Sequence, residues 1–362
     1  MNKLDEDYST LLKDIIENGI ERNNTRTGRV LSVFGRFIRH NMADGFPLIT
    51  TKKMAWKQIV TELLWFLRGD TNIRYLLDNN CHIWDGDAYK KYCKLTETVK
   101  EPDFDIHVDD PKEGKVRILS KKEFIDRIKT DDAFAKQWGN LGPIYGHQWR
   151  DWNLLTWEND IWILAGIDQI KTLIDDIKTN PESRRLMVNA WNVSELHEMT
   201  LPPCHYGFQV YVKAFSAEER KKMYLTGKYS DEVKEYGLED NHIWLDTWST
   251  VPRGKLSLMW NQRSVDTALG WPFNVASYGL LLLMLAKQTH MIPDELICNL
   301  GDVHLYANHI DNVKVQLQRW SRTLPKVTIS DRKVDDISEY THDDITLSGY
   351  DPHDAIKFTL SN

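Results

Sequence analysis

The segment from Asn274 to Met291 is apolar almost all the way round. A helix without a polar stripe is buried on every side, so the rest of the chain must supply layers to cover it. Strand-like runs at Val30–Ile38, Arg185–Trp191, Tyr206–Val212, Lys255–Ser264 and about Leu296–Tyr306 are rich in β-branched and aromatic residues. Three further segments carry one apolar stripe each. They are Tyr8, Leu11, Leu12, Ile15 and Ile16 ahead of Gly19, then Trp56, Ile59, Val60, Leu63, Leu64 and Leu67 within about Ala55–Arg68. The third is Ile167, Ile170, Leu173, Ile174 and Ile177, stopped by Asn180-Pro181. Helices and strands mix without a regular βαβ rhythm. The expected fold is therefore α+β (mixed α/β), with one large mixed sheet covered by helices.

Two charged stretches interrupt this pattern, at about 87–140 and 214–253, and are expected to be insertions that serve as solvated decoration or as an interface. In the first, Ser120-Lys121-Lys122-Glu123 has capping-box spacing and predicts a small surface helix. The formal net charge of −7 argues against general nucleic-acid or anionic-membrane affinity. Four cysteines (Cys81, Cys93, Cys204, Cys298) show no CxxC spacing, so neither a disulfide framework nor a metal site is expected. The charged start Met1–Asp7 has no secretory h-region, and the apolar run Gly279–Ala286 is too short to span a bilayer. A cytoplasmic location is the expectation.

Within this frame Leu201-Pro202-Pro203-Cys204 enters the Tyr206–Val212 strand. Two prolines stiffen the backbone there, so Cys204 reads either as a small buried hydrophobe or as a nucleophile on a rigid element. Glu62 stands at the margin of its helix's apolar stripe, where a carboxylate needs a partner or a raised pKa. It is a salt-bridge member or a proton carrier. Leu141-Gly142-Pro143-Ile144-Tyr145-Gly146 is a tight turn displaying Tyr145. Arg26, the pair Arg184-Arg185, and Arg263 in Gln262-Arg263-Ser264 suit phosphate oxygens and point to a phosphorylated small ligand. Asn274, after Gly270-Trp271-Pro272-Phe273, is either a helix N-cap or an amide that reads a ring edge. His304 and Tyr306 share a strand face at period two.

With these residues assembled, the chain resembles the thymidylate synthase family. The resemblance lies in Arg26-Thr27-Gly28, Pro47–Lys52, Thr61–Leu67, Gly69–Asn72, Ile83-Trp84-Asp85 and Leu141–Gly146. It continues through Ser183–Arg185, Ala190–Asn192, Leu201–Phe208, Gln262–Tyr278, Gly301–Tyr306 and Gly349–His353, in family order over the chain except the two insertions. It implies one catalytic domain over 1–362, a homodimer packed sheet to sheet, dUMP as substrate and 5,10-methylenetetrahydrofolate as co-substrate. Carried over, Cys204 attacks C6 of the uracil ring, Asn274 with Gln262 holds its edge, and Glu62 and Tyr145 handle protons through ordered water. The phosphate falls to Arg26, Arg263 and Ser264, with Arg184 and Arg185 from the partner subunit. His304 and Tyr306 take the ribose hydroxyl. The folate falls to Lys52, Ile83, Trp84, Asp266, Gly270 and Phe273.

This chain also differs from the family's usual pattern. Ala55 stands where histidine is common, Asp87 where a second tryptophan is, Asn261 where tyrosine is and Trp271 where leucine is. The tail Thr359-Leu360-Ser361-Asn362 replaces a small apolar end. These differences fall on the folate half of the site and keep two outcomes open for the methylene intermediate. Hydride reduction gives dTMP, as in a thymidylate synthase; water addition gives 5-hydroxymethyl-dUMP, as in a hydroxymethylase. A scaffold without activity, a third reading, has no use for all of Cys204, Glu62, Tyr145 and Asn274.

Overall fold

The computed structural model describes residues 2–24, 28–98, 118–158, 160–225 and 251–359. In chain order they form α1 (Lys3–Asn18), β1 (Ile20–Asn24), β2 (Gly28–Asn41), α2 (Trp56–Leu67), α3 (Arg74–Asp78), α4 (Asp85–Thr98), α5 (Lys121–Thr130), α6 (Asp132–Trp138), α7 (Tyr145–Arg150), β3 (Trp152–Glu158), β4 (Ile161–Ile167), α8 (Gln169–Thr179), β5 (Met187–Asn189), β6 (His205–Ala214), α9 (Ala217–Leu225), β7 (Gly254–Asp266), α10 (Gly270–Thr289), β8 (Ile292–Tyr306), α11 (Ile310–Leu317), β9 (Lys326–Ile329) and β10 (Ile345–Ser348).

Six strands make the main sheet in the order β1-β2-β8-β7-β6-β5. Strands β7 and β8 run parallel and every other pair is antiparallel, so the sheet is mixed as expected. A parallel pair needs a crossover, and α10 supplies it. That helix is the buried element the sequence demands: Leu280, Leu281, Leu282, Met284 and Leu285 are fully covered. It begins at Gly270, four residues earlier than expected. Asp266 Oδ1 accepts the backbone N–H of Ala268 and Leu269 just ahead of it, and Pro272 falls in the first turn, where its missing N–H costs nothing. Asn274 is thus inside the helix and is not its N-cap. Helix α10 packs on β7, β8, α2 and α8.

Strand register sorts the sheet's two faces. Phe208, Val210 and Val212 of β6 turn inward and are buried, whereas Tyr211 turns outward. Phe37, Asn299, Asn261, Met259, Gln209 and Met187 follow by pairing on that outward side. Phe37 is 54%, Met187 56% and Tyr211 72% exposed, so large apolar side chains stand uncovered there in the single chain.

Two local expectations are corrected. The strand expected over Arg185–Trp191 is ordered as a ladder only over Met187–Asn189. The Met187 N–H bonds back to Arg185 O and the Trp191 N–H to the Asn189 side chain, which turns the chain at both ends. The expected insertion at 87–140 opens inside α4, and its described part is more than solvated decoration. Tyr92, Phe124, Ile128 and Phe134 are buried, and Trp138 packs edge-on against Tyr92 with ring centroids 5.0 Å apart. Its apolar residues are few but converge, and the Ser120–Glu123 capping box forms as its spacing predicts. Residues 99–117 and 226–250 of the two expected insertions lie outside the described residues. Strands β3 and β4, which the sequence reading passed over, pair as a hairpin with Leu155, Trp157, Trp162 and Leu164 exposed on one face. No described helix is long and apolar enough to cross a membrane.

Candidate active site

Pro202 and Pro203 bring the chain to Cys204 at the mouth of β6, and hydrogen bonds clamp the cysteine on both sides. Its N–H donates to Tyr145 Oη at 2.8 Å, and its carbonyl accepts the Arg263 N–H at 2.8 Å. The Arg263 side chain folds back on the same loop: Nε donates to Pro203 O and Nη2 to Pro202 O, both at 2.9 Å. The two prolines offer no amide hydrogens, and their carbonyls become anchors for a guanidinium instead. A fixed positive charge therefore stands beside Cys204, the setting a sulfur nucleophile needs.

Behind the cysteine lies an aromatic wall. The Tyr145 ring stacks on His205 at 4.2 Å and packs on Phe66 at 4.8 Å. Burial keeps the Tyr145 phenol well above its usual range. Burial also pushes His205 down to about 3, so its ring is neutral, and its Nδ1 meets Tyr278 Oη at 2.9 Å. Trp84 packs edge-on against Tyr145 at 6.2 Å and donates its indole N–H to Glu62 Oε1 at 2.8 Å. Removal from water raises Glu62 to about 7, against the opposing pull of that hydrogen bond. Among the described residues the partner of Glu62 is an indole rather than a cation, so the salt-bridge reading finds no support there.

Asn274, one turn into α10, donates its amide to Gln262 Oε1 at 3.0 Å, and Gln262 also accepts the Trp260 indole N–H at 3.2 Å. This fixes which way the Gln262 amide faces and presents Asn274 at the edge of a cavity of about 420 Å³. Glu62, Ile83, Gly270, Phe273, Asp266 and Lys52 line the same space, with Ile356 and Phe358 from the C-terminal segment. Lys52 is held there from below. Asp5, fully buried, accepts the backbone N–H of Thr50 at 3.0 Å and the hydroxyls of Thr50 and Thr51 at 2.7 and 3.1 Å. Lys52 itself donates to Ala268 O and lies 4.4 Å over the Phe358 ring. Burial lowers it to about 7, with Asp266 pulling the other way.

A second cavity, about 380 Å³, is lined by Ser264, Asp302, His304, Tyr306, Val30, Arg22 and Asn23. Strands β7 and β8 place Ser264 against Asp302. Arg184 and Arg185 line neither cavity; both are exposed in the turn before β5, at the far edge of the sheet from β1. Arg26 lies outside the described residues. Sequence reasoning missed His205, Tyr278 and Asp5. For His205 the signal was adjacency to Cys204, whereas the other two emerge only from contacts across 73 and 45 residues.

The thymidylate synthase family model matches residues 6–362. The chain is 39% identical to the thymidylate synthase of Mycoplasma pneumoniae over 350 residues, 97% of each chain. It is also 39% identical to that of Listeria monocytogenes over 357 residues, 98% of this chain and 99% of the relative, with the same identity to the Listeria innocua protein. The chain belongs to the thymidylate synthase family. It is an enzyme of the one-carbon transferase kind.

The family acts on dUMP with methylenetetrahydrofolate as co-substrate, and the two cavities differ in chemistry. The larger one has apolar walls from Ile83, Phe273, Ile356 and Phe358 for a flat heterocycle, and Asp266 and Lys52 for its polar groups. Among the described residues no cluster of side chains could hold a metal ion. Where this chain departs from the family's usual residues, the positions fall differently in space. Ala55 lines the larger cavity, but Asp87 does not. Asn261 is on the outward face, bonded by the Asn299 amide at 2.8 Å, and Trp271 is buried, stacked on Tyr8 at 4.9 Å. The residues beyond Thr359 lie outside the described residues.

Proposed function

We propose that this chain converts dUMP to dTMP, with 5,10-methylenetetrahydrofolate as co-substrate, through a covalent adduct of Cys204 at C6 of the uracil ring. The observation that carries the reading is the clamped Cys204, with Tyr145 on one side and Arg263 on the other. Attack by sulfur at C6 drives charge onto O4, where Asn274, oriented by Gln262, stabilises it. The co-substrate supplies the one-carbon unit and the hydride. Loss of the C5 proton requires a base poised near neutrality, which suits Glu62 at about 7. Tyr145 stays protonated and is rigidly stacked, so it orders water without competing as an anion. Ser264 and Arg263 take the phosphate with Arg26, and His304 and Tyr306 take the ribose hydroxyl. Lys52, Asp266 and the apolar wall, with Trp84 at its side, hold the folate.

Hydride transfer is favoured over hydration because the relatives matched are thymidylate synthases; of the two features that could admit water, Asp87 is not among the residues lining the cavity, and the tail beyond Thr359 lies outside the described residues. We read the whole of 1–362 as one catalytic domain with two insertions, working as a homodimer. Supporting that assembly are the uncovered Phe37, Met187 and Tyr211, and the position of Arg184 and Arg185 away from their own chain's cavities. The test is Cys204→Ser. Turnover is expected to fall by about three orders of magnitude or more, with dUMP binding retained in equilibrium dialysis. Undiminished turnover would sink the assignment.

A further inference from the structure

Arg22 carries a charge that the reading above does not use. On β1 it pairs with Val30, which pairs in turn with Tyr306. Register therefore puts its side chain on the same face as Ser32, Asp302, His304 and Tyr306, over the nucleotide cavity that it helps to line. Its Nη1 donates to Asp302 Oδ2 at 3.3 Å, and the two side chains are 56% and 37% exposed. Ion pairs this open are weak. Asp302 is held independently of it: Ser32 Oγ donates to Oδ1 at 2.7 Å, and His304 Nδ1 stands 3.3 Å from the same oxygen. The carboxylate therefore keeps its place when the arginine moves, and only Arg22 is free to exchange partners.

An incoming phosphate offers the guanidinium what one long carboxylate contact does not: several anionic oxygens matched to a planar fork. We propose that Arg22 leaves Asp302 on substrate binding and becomes an additional phosphate-binding residue, alongside Arg263 and Ser264. This assignment rests on the dUMP reading of the cavity. It also gives the weak pair a purpose. In the free enzyme Asp302 parks the cation at the cavity's edge, so a mobile arginine reaches the anion without first being ordered from solvent.

The experiment uses the full-length enzyme and Arg22→Gln and Arg22→Lys variants, with dUMP as substrate and inorganic phosphate as competitive inhibitor. The proposal expects the KM for dUMP and the Ki for phosphate to rise together in Arg22→Gln, by about tenfold for one lost charged contact. It expects kcat to stay within about twofold, since uniform binding is what is lost, and Arg22→Lys to recover part of both. Unchanged KM in Arg22→Gln overturns the proposal. So does a rise in KM without a rise in the phosphate Ki, which would place the effect at the sugar through Asp302 and His304. Failure of the wild-type enzyme to turn over dUMP is a separate outcome and would overturn the underlying reading.

Discussion

Glu62 faces a cavity rather than a cation, and its protonation ties catalysis to stability. Burial raises it from an ordinary 4.5 to about 7. The folded protein then holds a proton that the unfolded chain gives up, so stability is fully present below about pH 4.5 and is lost as pH climbs through 7. Glu62→Gln removes that loss. The variant is expected to match the wild type in urea unfolding near pH 4.5 and to exceed it at pH 8, by about 1–3 kcal/mol. Its turnover should drop by about two to four orders of magnitude, as for a lost proton carrier. Equal pH dependence of stability in the two proteins would show that Glu62 ionises normally. The sequence left Glu62 between two roles because its position on a helical stripe says nothing about its partner, which only the fold reveals as the Trp84 indole.

Helix α10 and the loop it covers behave as one unit. Gly279 faces Pro47, and a Cβ there would overlap the proline ring. Gly279→Ala is expected to cost about 1–3 kcal/mol in thermal or urea unfolding. It should also raise the KM for the folate co-substrate, because the displaced loop runs on to Lys52. A neutral effect on both would mean that the helix has room to shift. The elements read most securely from sequence were of this kind: α10 from its unbroken apolar surface, α2 from its stripe, β6 from the alternation after Cys204. The β3–β4 hairpin escaped because its apolar residues, Leu155, Trp157, Trp162 and Leu164, face outward, and alternation alone cannot signal an exposed apolar face. The Asn159-Asp160 dipeptide between two β-rich runs was the available clue. Strand order was not legible at all, since the parallel β7–β8 pairing is decided by where α10 packs.

At the scale of the whole molecule, two exposed arginines lie away from the described cavities of their own chain. Arg184 and Arg185 sit at the sheet edge opposite β1, and the outward face shows Phe37, Met187 and Tyr211. If these arginines complete a partner's site, two crippled chains can repair each other. Cys204→Ala and Arg184→Gln/Arg185→Gln proteins, each nearly inactive at dUMP well below the wild-type KM, are expected to regain up to about a quarter of wild-type activity there when mixed and reassociated, because half the dimers then hold one intact site. No recovery in a preparation shown to contain mixed dimers would confine each site to its own chain. The deciding measurement is to quantify dTMP and dihydrofolate together, by mass spectrometry and absorbance, in one reaction of the full-length protein with dUMP and methylenetetrahydrofolate. Equal amounts of both are predicted. Accumulation of 5-hydroxymethyl-dUMP without dihydrofolate would contradict the account and return the enzyme to the water-adding branch.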